Sequence, residues 1–222
     1  RVLFRSDFLI TGADSIVGAL ATHSSFAIET TQRDAWEKEI AILRTALEGI
    51  SGLVLFEFVV PRIGSRIDVV LVSKGIVFVI EFKVGETRFT IDAHNQVWDY
   101  ALDLKNFHKA SHDALIVPIL VATEAPHGQS TLFNWDADGV CRPIHCNSAG
   151  LAQVLCDTLA QSKGNPIDPW AWASAPYQPT PTIVAAAQAL YSRHSVDAIS
   201  RSDAGATNLL ATSRRVDRKS NV

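Results

Sequence analysis

The chain has 222 residues, a length that suits one α/β domain with an appendage and argues against two full domains. Hydrophobic residues make up 47% of it and charged residues 19%, which excludes a disordered chain and supplies enough apolar side chains for a buried core. The formal net charge of -3 excludes a strong global attraction to phosphate, so nucleic-acid binding would require a local basic patch.

The N-terminal part of the chain predicts helices. Residues 1–30 hold mixed short segments, with some helix expected around Ser15–Ala21. A longer helix is predicted from Thr31, with Thr30 or Thr31 as its cap and Gly52 beyond its end. The apolar stripe of this helix consists of Trp36, Ile40, Leu43 and Leu47.

Three consecutive strands follow the first long helix. Leu53–Val60 is rich in β-forming residues and is closed by the turn sequence Pro61–Ser65. Ile67–Ser73 and Ile76–Phe82 are two further runs of Val and Ile, separated by Lys74 and Gly75. We therefore predict a three-stranded meander.

The next elements alternate between helix and strand. Asp92–Lys109 has helical spacing, and Leu115–Ala122 is a near-continuous apolar run typical of a buried strand. A short strand near Val140–Ile144 and a helix near Ala149–Gln161 complete residues 1–164, which we predict as one domain. The predicted order is α-β-β-β-α-β with trailing elements, an α/β fold.

Residues 165–222 are predicted as an appendage to that domain. Asn165–Thr182 is rich in proline and is expected to be a non-helical connector draped over the domain. Ile183–Tyr191 is predicted as an alanine-rich helix, and the chain after Ser202 as a polar tail or linker. We expect a C-terminal helical extension.

Cysteine usage and hydropathy predict the compartment. Cys141, Cys146 and Cys156 are too few and too unevenly placed for a disulfide framework, which favours reduced thiols. No apolar run approaches the ~20 residues that span a bilayer, and no signal-peptide pattern opens the chain. We therefore expect a cytoplasmic protein.

The predicted hairpin brings charged residues together. If Lys74 and Gly75 form a two-residue loop, the register places Asp68 opposite Glu81, and the two carboxylates share one face of the sheet. Lys83, two residues after Glu81, projects from the same side. A three-residue loop would shift the register and separate them.

Two neighbouring carboxylates are stabilised by a shared divalent cation. Their repulsion raises the pKa of both groups, and oxygen ligation favours Mg²⁺ or Mn²⁺ over zinc. Lys83 could then orient or deprotonate an attacking water, or stabilise charge on the transition state. The alternative is that Asp68 and Glu81 are ordinary solvent-facing residues with Lys83 as their ion-pair partner. We favour the metal site because the three charges lie at one end of an otherwise apolar face.

The sequence Arg66-Ile67-Asp68, a hairpin, then Glu81-Phe82-Lys83 resembles the PD-(D/E)XK motif of nucleases. Gln96-Val97-Trp98-Asp99-Tyr100 is similar to the Gln-x-x-x-Tyr motif of bacterial recombination helicase-nucleases, in which these residues position the nucleic acid and the catalytic groups. On a helix, Gln96 and Tyr100 are one turn apart and face the same way. The alternative is an amphipathic helix with an interfacial tyrosine. The resemblance implies a restriction-endonuclease-like core, a central mixed sheet flanked by helices.

These nucleases also take an acidic residue from the first helix. Glu39 lies about 70° and Glu37 about 90° from the middle of the apolar stripe, at ~100° per residue. We predict Glu39 as the third metal ligand beside Asp68 and Glu81, although either glutamate could simply be solvated.

A closer resemblance covers most of the chain. The segments 61–71, 81–85 and 96–108 are similar to the N-terminal module of a bacterial family that joins a nuclease-like domain to a Schlafen-related superfamily-one helicase. The passage Tyr177–Thr182 resembles the family's connection to its motor. Because no G-x-x-x-x-G-K-[ST] phosphate loop occurs in the chain, neither ATP hydrolysis nor unwinding is assigned to it.

Basic residues near the motif could contact nucleic acid. Arg62, Arg66 and Lys105 are predicted to line a rim around the site, because arginine side chains match phosphate oxygens. The alternative is a solubilising surface. His94, His108 and His112 bracket the second long helix, but their spacing matches no zinc signature.

Two function classes remain open. The chain is predicted to be a Mg²⁺- or Mn²⁺-dependent nuclease with Asp68, Glu81, Lys83, Gln96 and Tyr100 as catalytic residues, acting on DNA with a helicase domain or partner. The alternative is a catalytically silent module that holds nucleic acid without cutting it. The complete Asp68, Glu81 and Lys83 set favours the enzyme.

Overall fold

The computed structural model describes residues 2–23, 30–60, 62–126, 133–161 and 164–191. Its strands are β1 (Val2–Phe4), β2 (Leu53–Val59), β3 (Arg66–Ser73), β4 (Ile76–Lys83), β5 (Leu115–Ala122) and β6 (Ile144–Cys146). Its helices are α1 (Arg5–Ile10), α2 (Ala13–His23), α3 (Thr30–Ala46), α4 (Ile91–Phe107), α5 (Leu151–Gln161), α6 (Pro169–Ala173) and α7 (Pro181–Tyr191). A single 3-10 turn, Lys109–Ser111, follows α4. The predicted tail after Ser202 lies outside the described residues.

The strands form one six-stranded sheet in chain order, β1 to β6. Neighbours from β1 to β4 are antiparallel, whereas β4, β5 and β6 run parallel. The parallel step from β4 to β5 requires a crossover, which α4 supplies. The α/β class and the mixed sheet are therefore confirmed.

Apolar side chains cover both faces of the sheet. On one face the strands pack against α1, α2, α3 and α5 through a core that includes Phe8, Ile16, Ile40, Leu43, Phe78 and Leu155. On the other face they pack against α4 and α6 through a core that includes Val70, Val79, Val97, Ala101 and Trp172. The sheet is thus buried between two helical layers, as expected for strands this rich in Val and Ile.

The β3–β4 hairpin has the predicted register. Ser73 pairs with Ile76, and the ladder continues to Val69 and Ile80. Lys74 and Gly75 have φ angles of 46° and 82°, and positive values at both positions are what a two-residue type I′ turn requires. The hairpin therefore directs the start of β3 and the end of β4 to the same edge of the sheet.

Some boundaries differ from the prediction. The first elements, β1 and α1, were not predicted because each is too short to show a period. The last strand begins at Ile144, whereas Val140 forms only an isolated bridge to Ile116.

The connector 165–182 is not free of helix, and that prediction was wrong. It contains α6, where the Asp168 side chain accepts hydrogen bonds from the N–H groups of Trp170 and Ala171 and Pro169 occupies the first turn. Proline is favourable at that position because its missing N–H would be unpaired anyway. Trp172 is fully buried against Phe58 and His108, which fixes the connector to the α4 face.

The cysteines are unpaired, and the described helices are short. Cys141 and Cys146 are buried and Cys156 is exposed, and all three are free thiols. Among the described residues, no helix combines the length and apolarity needed to cross a membrane.

Candidate active site

Asp68 and the end of β4 meet at one edge of the sheet. The N–H of Phe82 donates to Asp68 Oδ2 at 2.9 Å, so this carboxylate takes the place of a ladder carbonyl just beyond the last β3–β4 pair. Lys83 Nζ donates to Glu81 Oε1 at 2.8 Å. The Asp68 and Glu81 carboxyls are close enough to share a hydrogen bond when one of them is protonated. Asp68, Glu81 and Lys83 are therefore close together, as predicted, but the ladder ends at Val69 and Ile80, so the predicted pairing of Asp68 with Glu81 on one face of the sheet is wrong.

The regular alternation of side chains breaks at this point in both β2 and β3. In β2, Leu55 and Phe58 pack on the same face although they are three positions apart, and in β3 the same is true of Ile67 and Val70. The break falls at Glu57 in β2 and Asp68 in β3, between the paired positions Phe56–Val69 and Phe58–Ile67. Glu57 has a φ angle of 53°, in the left-handed region that non-glycine residues rarely adopt. This local distortion turns the Asp68 carboxyl into the plane of the sheet, toward β4.

Glu57 also connects α3 to the site. Its Oε1 accepts a hydrogen bond from Trp36 Nε1 at 2.8 Å, and its Oε2 lies 2.8 Å from Arg66 Nε. Trp36 and Glu39 are neighbours on one face of α3, since residues three apart lie one turn from each other. The bond from Trp36 therefore fixes the part of the helix that carries Glu39.

Glu39 is the acidic residue that α3 contributes. Its side chain is only 7% exposed, whereas Glu37 is exposed. Burial, together with the negative charges of Glu57 and Glu81, raises the pKa of Glu39 to about 8. Of the two candidates, Glu39 is therefore the one that lies near the other carboxyls, and its part as a metal ligand stays a prediction.

The pKa values of the two central carboxyls are also raised. For Asp68 the main cause is burial, followed by the charges of Glu81 and Glu39, while the hydrogen bond from Phe82 N–H acts in the opposite direction. For Glu81 burial again raises the pKa, opposed by the hydrogen bond and charge of Lys83. Several carboxyls with raised pKa values at one place form a site that a cation would stabilise.

The donor set fits a hard divalent cation. Glu81 is 3% exposed, and with both acids ionised its Oε2 is buried without a hydrogen-bond donor. Carboxylate oxygens are the ligands that Mg²⁺ takes, usually one or two of them with water completing its shell. Across the described parts of the chain, no three His, Cys, Asp or Glu side chains already converge on one metal position. The fit therefore rests on the Asp68 and Glu81 pair, with Glu39 as a nearby third acid.

Lys83 is held by α4 as well as by Glu81. Its Nζ donates to Gln96 Oε1 at 2.9 Å, and Gln96 Nε2 donates to the hydroxyl of Tyr100 at 2.8 Å. The predicted common face of Gln96 and Tyr100 is confirmed. Thr90 caps α4 through the N–H of Ala93. Only seven residues lie between Lys83 and Ile91, so the helix begins close to the end of β4 and Gln96 lies within bonding distance of Lys83.

The predicted basic residues lie in different places. Arg66 is paired with Glu57 at the edge of the site, with half of its side chain exposed. Arg62 is exposed in the β2–β3 turn, where its guanidinium lies 5.4 Å from the centre of the Tyr177 ring. Arg66 thus borders the carboxyl cluster, and Arg62 belongs to the loop beside it.

Lys105 is not brought to this site. It is buried near the other end of α4, where its Nζ donates to the carbonyl of Ala114 at 2.9 Å just before β5. Burial lowers its pKa. The structure gives Lys105 the role of closing the α4–β5 connection, so the predicted contact with nucleic acid has no support from its position.

Sequence reasoning missed Glu57. Its carboxylate lies in an apolar strand, Leu55-Phe56-Glu57-Phe58, and a charge there is itself a signal. Had the turn been taken as the four residues 61–64, with Val60 opposite Ser65, the register would have placed Glu57 opposite Asp68. Its positive φ could not have been read from the sequence.

Comparisons with known proteins add no family assignment. No family model matches the chain, and no curated protein or solved structure matches it significantly. The geometry of the site and the motif resemblance are therefore what supports a function for this chain.

Proposed function

We propose that this chain is a metal-dependent nuclease of the PD-(D/E)XK class, hydrolysing phosphodiester bonds of nucleic acid, with DNA as the preferred substrate. The observation that carries the proposal is the contact between the carboxyls of Asp68 and the buried Glu81, with Lys83 bonded to Glu81. The run α3-β2-β3-β4-α4-β5 also has the α-β-β-β-α-β order of the restriction-endonuclease-like core.

Asp68 and Glu81 would hold Mg²⁺ or Mn²⁺, with Glu39 as a third acidic group directly or through water. When bound, such a cation supplies Lewis acidity at the scissile phosphate and favours hydroxide over water. It would also offset the mutual repulsion of the carboxylates, which accounts for a cluster that is otherwise unfavourable to bury.

Lys83 would act on the reacting groups. An ammonium has three N–H donors, and two of them are directed to Glu81 Oε1 and Gln96 Oε1. The third can reach a water or a phosphate oxygen, where the fixed positive charge would stabilise the negative charge that develops in the transition state. Gln96 and Tyr100 would be positioning residues, since they restrict Lys83 to one orientation.

The partner and the cellular process are proposed from the sequence resemblance. Similarity to the N-terminal module of helicase-linked proteins favours a protein that works with a helicase domain or partner in DNA processing or defence, and the three free thiols favour the cytoplasm. Arg66, which pairs with Glu57 at the edge of the carboxyl cluster, would contact the phosphate backbone, and Arg62 would meet it further along the β2–β3 turn.

The nuclease assay uses labelled single- and double-stranded DNA and RNA with Mg²⁺, Mn²⁺ or EDTA. Wild type should cleave only with metal, and Asp68→Asn or Lys83→Ala should reduce cleavage by at least about 100-fold. Lys74→Ala is a matched control, because Lys74 is an exposed lysine in the turn at the far end of the same hairpin. Binding of nucleic acid without cleavage under any condition would favour the silent binding module instead.

A further inference from the structure

Two histidines contact each other beside the proposed active site. His94 of α4 and His145 of β6 have their Nδ1 and Nε2 atoms 2.9 Å apart, with the rings at right angles. Both side chains are partly exposed. Neither belongs to the carboxyl cluster or to the network around Lys83, so their role is not explained by the proposed mechanism.

The pair lies on the same face of the sheet as Glu81. In the parallel ladder Glu81 pairs with Leu120, and Leu120 pairs with His145. Since neighbouring strands are ~4.8 Å apart, His145 is about 10 Å from Glu81 across the sheet. Gln96 and Lys83 are bonded on one flank of α4, and His94 meets His145 on the other. Both sites are therefore near the N-terminal end of α4.

Aromatic and cationic groups surround the histidines. Phe89 stacks on His145 with ring centres 4.8 Å apart, and the Arg142 guanidinium lies 4.9 Å from the centre of the Trp98 ring. Arg142 also donates to Asp136, but 42% of its side chain is exposed. Such a combination of imidazole, guanidinium and stacked rings is found where proteins bind nucleic-acid strands.

The charge at this place favours an anion. The pKa of His94 is lowered by burial and by the positive charge of Arg142, and that of His145 by burial and by His94. The same positive charge opposes a second metal cation between the two imidazoles. A phosphate would instead accept hydrogen bonds from the one ring N–H that the contact between the histidines leaves free and from Arg142.

We propose that His94, His145 and Arg142 form a phosphate-binding subsite for the substrate strand, next to the scissile bond held at Asp68 and Glu81. This inference rests on the proposed nuclease function, because it assigns the direction in which the strand leaves the active site. The strand would cross the ends of β4, β5 and β6, with a base able to stack near Phe89.

The test measures binding and cleavage separately. A fluorescein-labelled single-stranded oligodeoxynucleotide is titrated with the full chain by fluorescence anisotropy, with Ca²⁺ in place of Mg²⁺. The His94→Ala/His145→Ala double variant should raise Kd about tenfold, the effect of losing one or two hydrogen bonds to a charged group. The matched control is His112→Ala, because His112 is a partly exposed histidine whose Nε2 bonds the carbonyl of Gln178 beyond the C-terminal end of α4. It should leave Kd within about twofold of wild type.

The outcomes separate the two proposals. If wild type cleaves with Mg²⁺ but the double variant keeps the wild-type Kd and KM, the subsite is wrong and the nuclease stands. If the double variant loses binding but wild type fails to cleave whichever metal is added, the subsite stands and the nuclease proposal fails. Melting temperatures equal to that of wild type exclude misfolding of the variants. The single variants His94→Asn and His145→Asn should each show part of the loss of oligonucleotide affinity.

Discussion

Substitutions of Glu57 test whether the backbone at this position is strained. Its φ angle of 53° is unfavourable for any residue with a Cβ atom, by about 1 kcal/mol relative to glycine. Glu57→Gly and Glu57→Ala both remove the bond from Trp36 and the pair with Arg66, but only the glycine variant relieves the strain. The difference between these two variants therefore isolates the backbone contribution.

The magnitude follows from the contacts that are lost. The Trp36 bond is worth about 1 kcal/mol, and the half-exposed Arg66 pair at most a few tenths after screening by solvent. Glu57→Ala should thus lower the free energy of unfolding by about 1 kcal/mol, while Glu57→Gly should be about 1 kcal/mol more stable than Glu57→Ala. For a chain of this size that difference corresponds to a shift in Tm of ~2–4 °C.

Urea unfolding followed by circular dichroism measures the two variants, and a Mn²⁺ titration measures their function. Both variants should bind Mn²⁺ more weakly than wild type, because α3 loses the contact that holds Glu39 near Asp68. If Glu57→Ala proves as stable as Glu57→Gly, the strain at this position does not exist. If neither variant changes the Mn²⁺ affinity, Glu57 has no positioning role.

Three further changes probe the hairpin, the lysine network and the buried acid. Gly75→Ala should lower the free energy of unfolding by more than about 1 kcal/mol in thermal denaturation, because φ is 82° and an added Cβ would collide with the backbone of Asn165. Gln96→Ala should lower kcat by about tenfold with little change in KM or Tm, since it frees Lys83 without touching substrate, and an unchanged kcat would refute this. Burial and the charges of Glu57 and Glu81 raise the folded-state pKa of Glu39 from 4.5 to about 8, so the stability that protonated Glu39 gives the metal-free fold is full below pH 4.5 and is lost as pH rises through 8. Glu39→Gln should therefore be more stable than wild type at pH 8 in EDTA, an advantage that disappears below pH 4.5, and equal pH profiles in urea unfolding would contradict the shift.

The features that the sequence predicts well depend on regular periods. The β3–β4 register followed from alternating side chains and the Lys74-Gly75 turn, and the common face of Gln96 and Tyr100 followed from helical spacing. In each case the relevant geometry is local, and the residue types leave one favourable conformation.

The features it could not predict depend on departures from those periods or on distances along an element. The break in side-chain alternation at Glu57 and Asp68 is a distortion of two paired strands, and a rule that assumes regular alternation cannot predict it. Lys105 shares α4 with Gln96, but about 13 Å of helix separates them at 1.5 Å per residue, so proximity in sequence did not mean proximity to the site. The contact between His94 and His145 joins residues far apart in the chain, and neither residue belongs to a motif.

The central claim is that Asp68 and Glu81 share one divalent cation. An anomalous difference map from crystals soaked in Mn²⁺ tests it most directly, since the map locates the ion without reference to activity. We predict a peak about 2.0–2.2 Å from a carboxylate oxygen of each residue, with water in the remaining positions. A fully ordered site at saturating Mn²⁺ with no peak between these two side chains would contradict the claim.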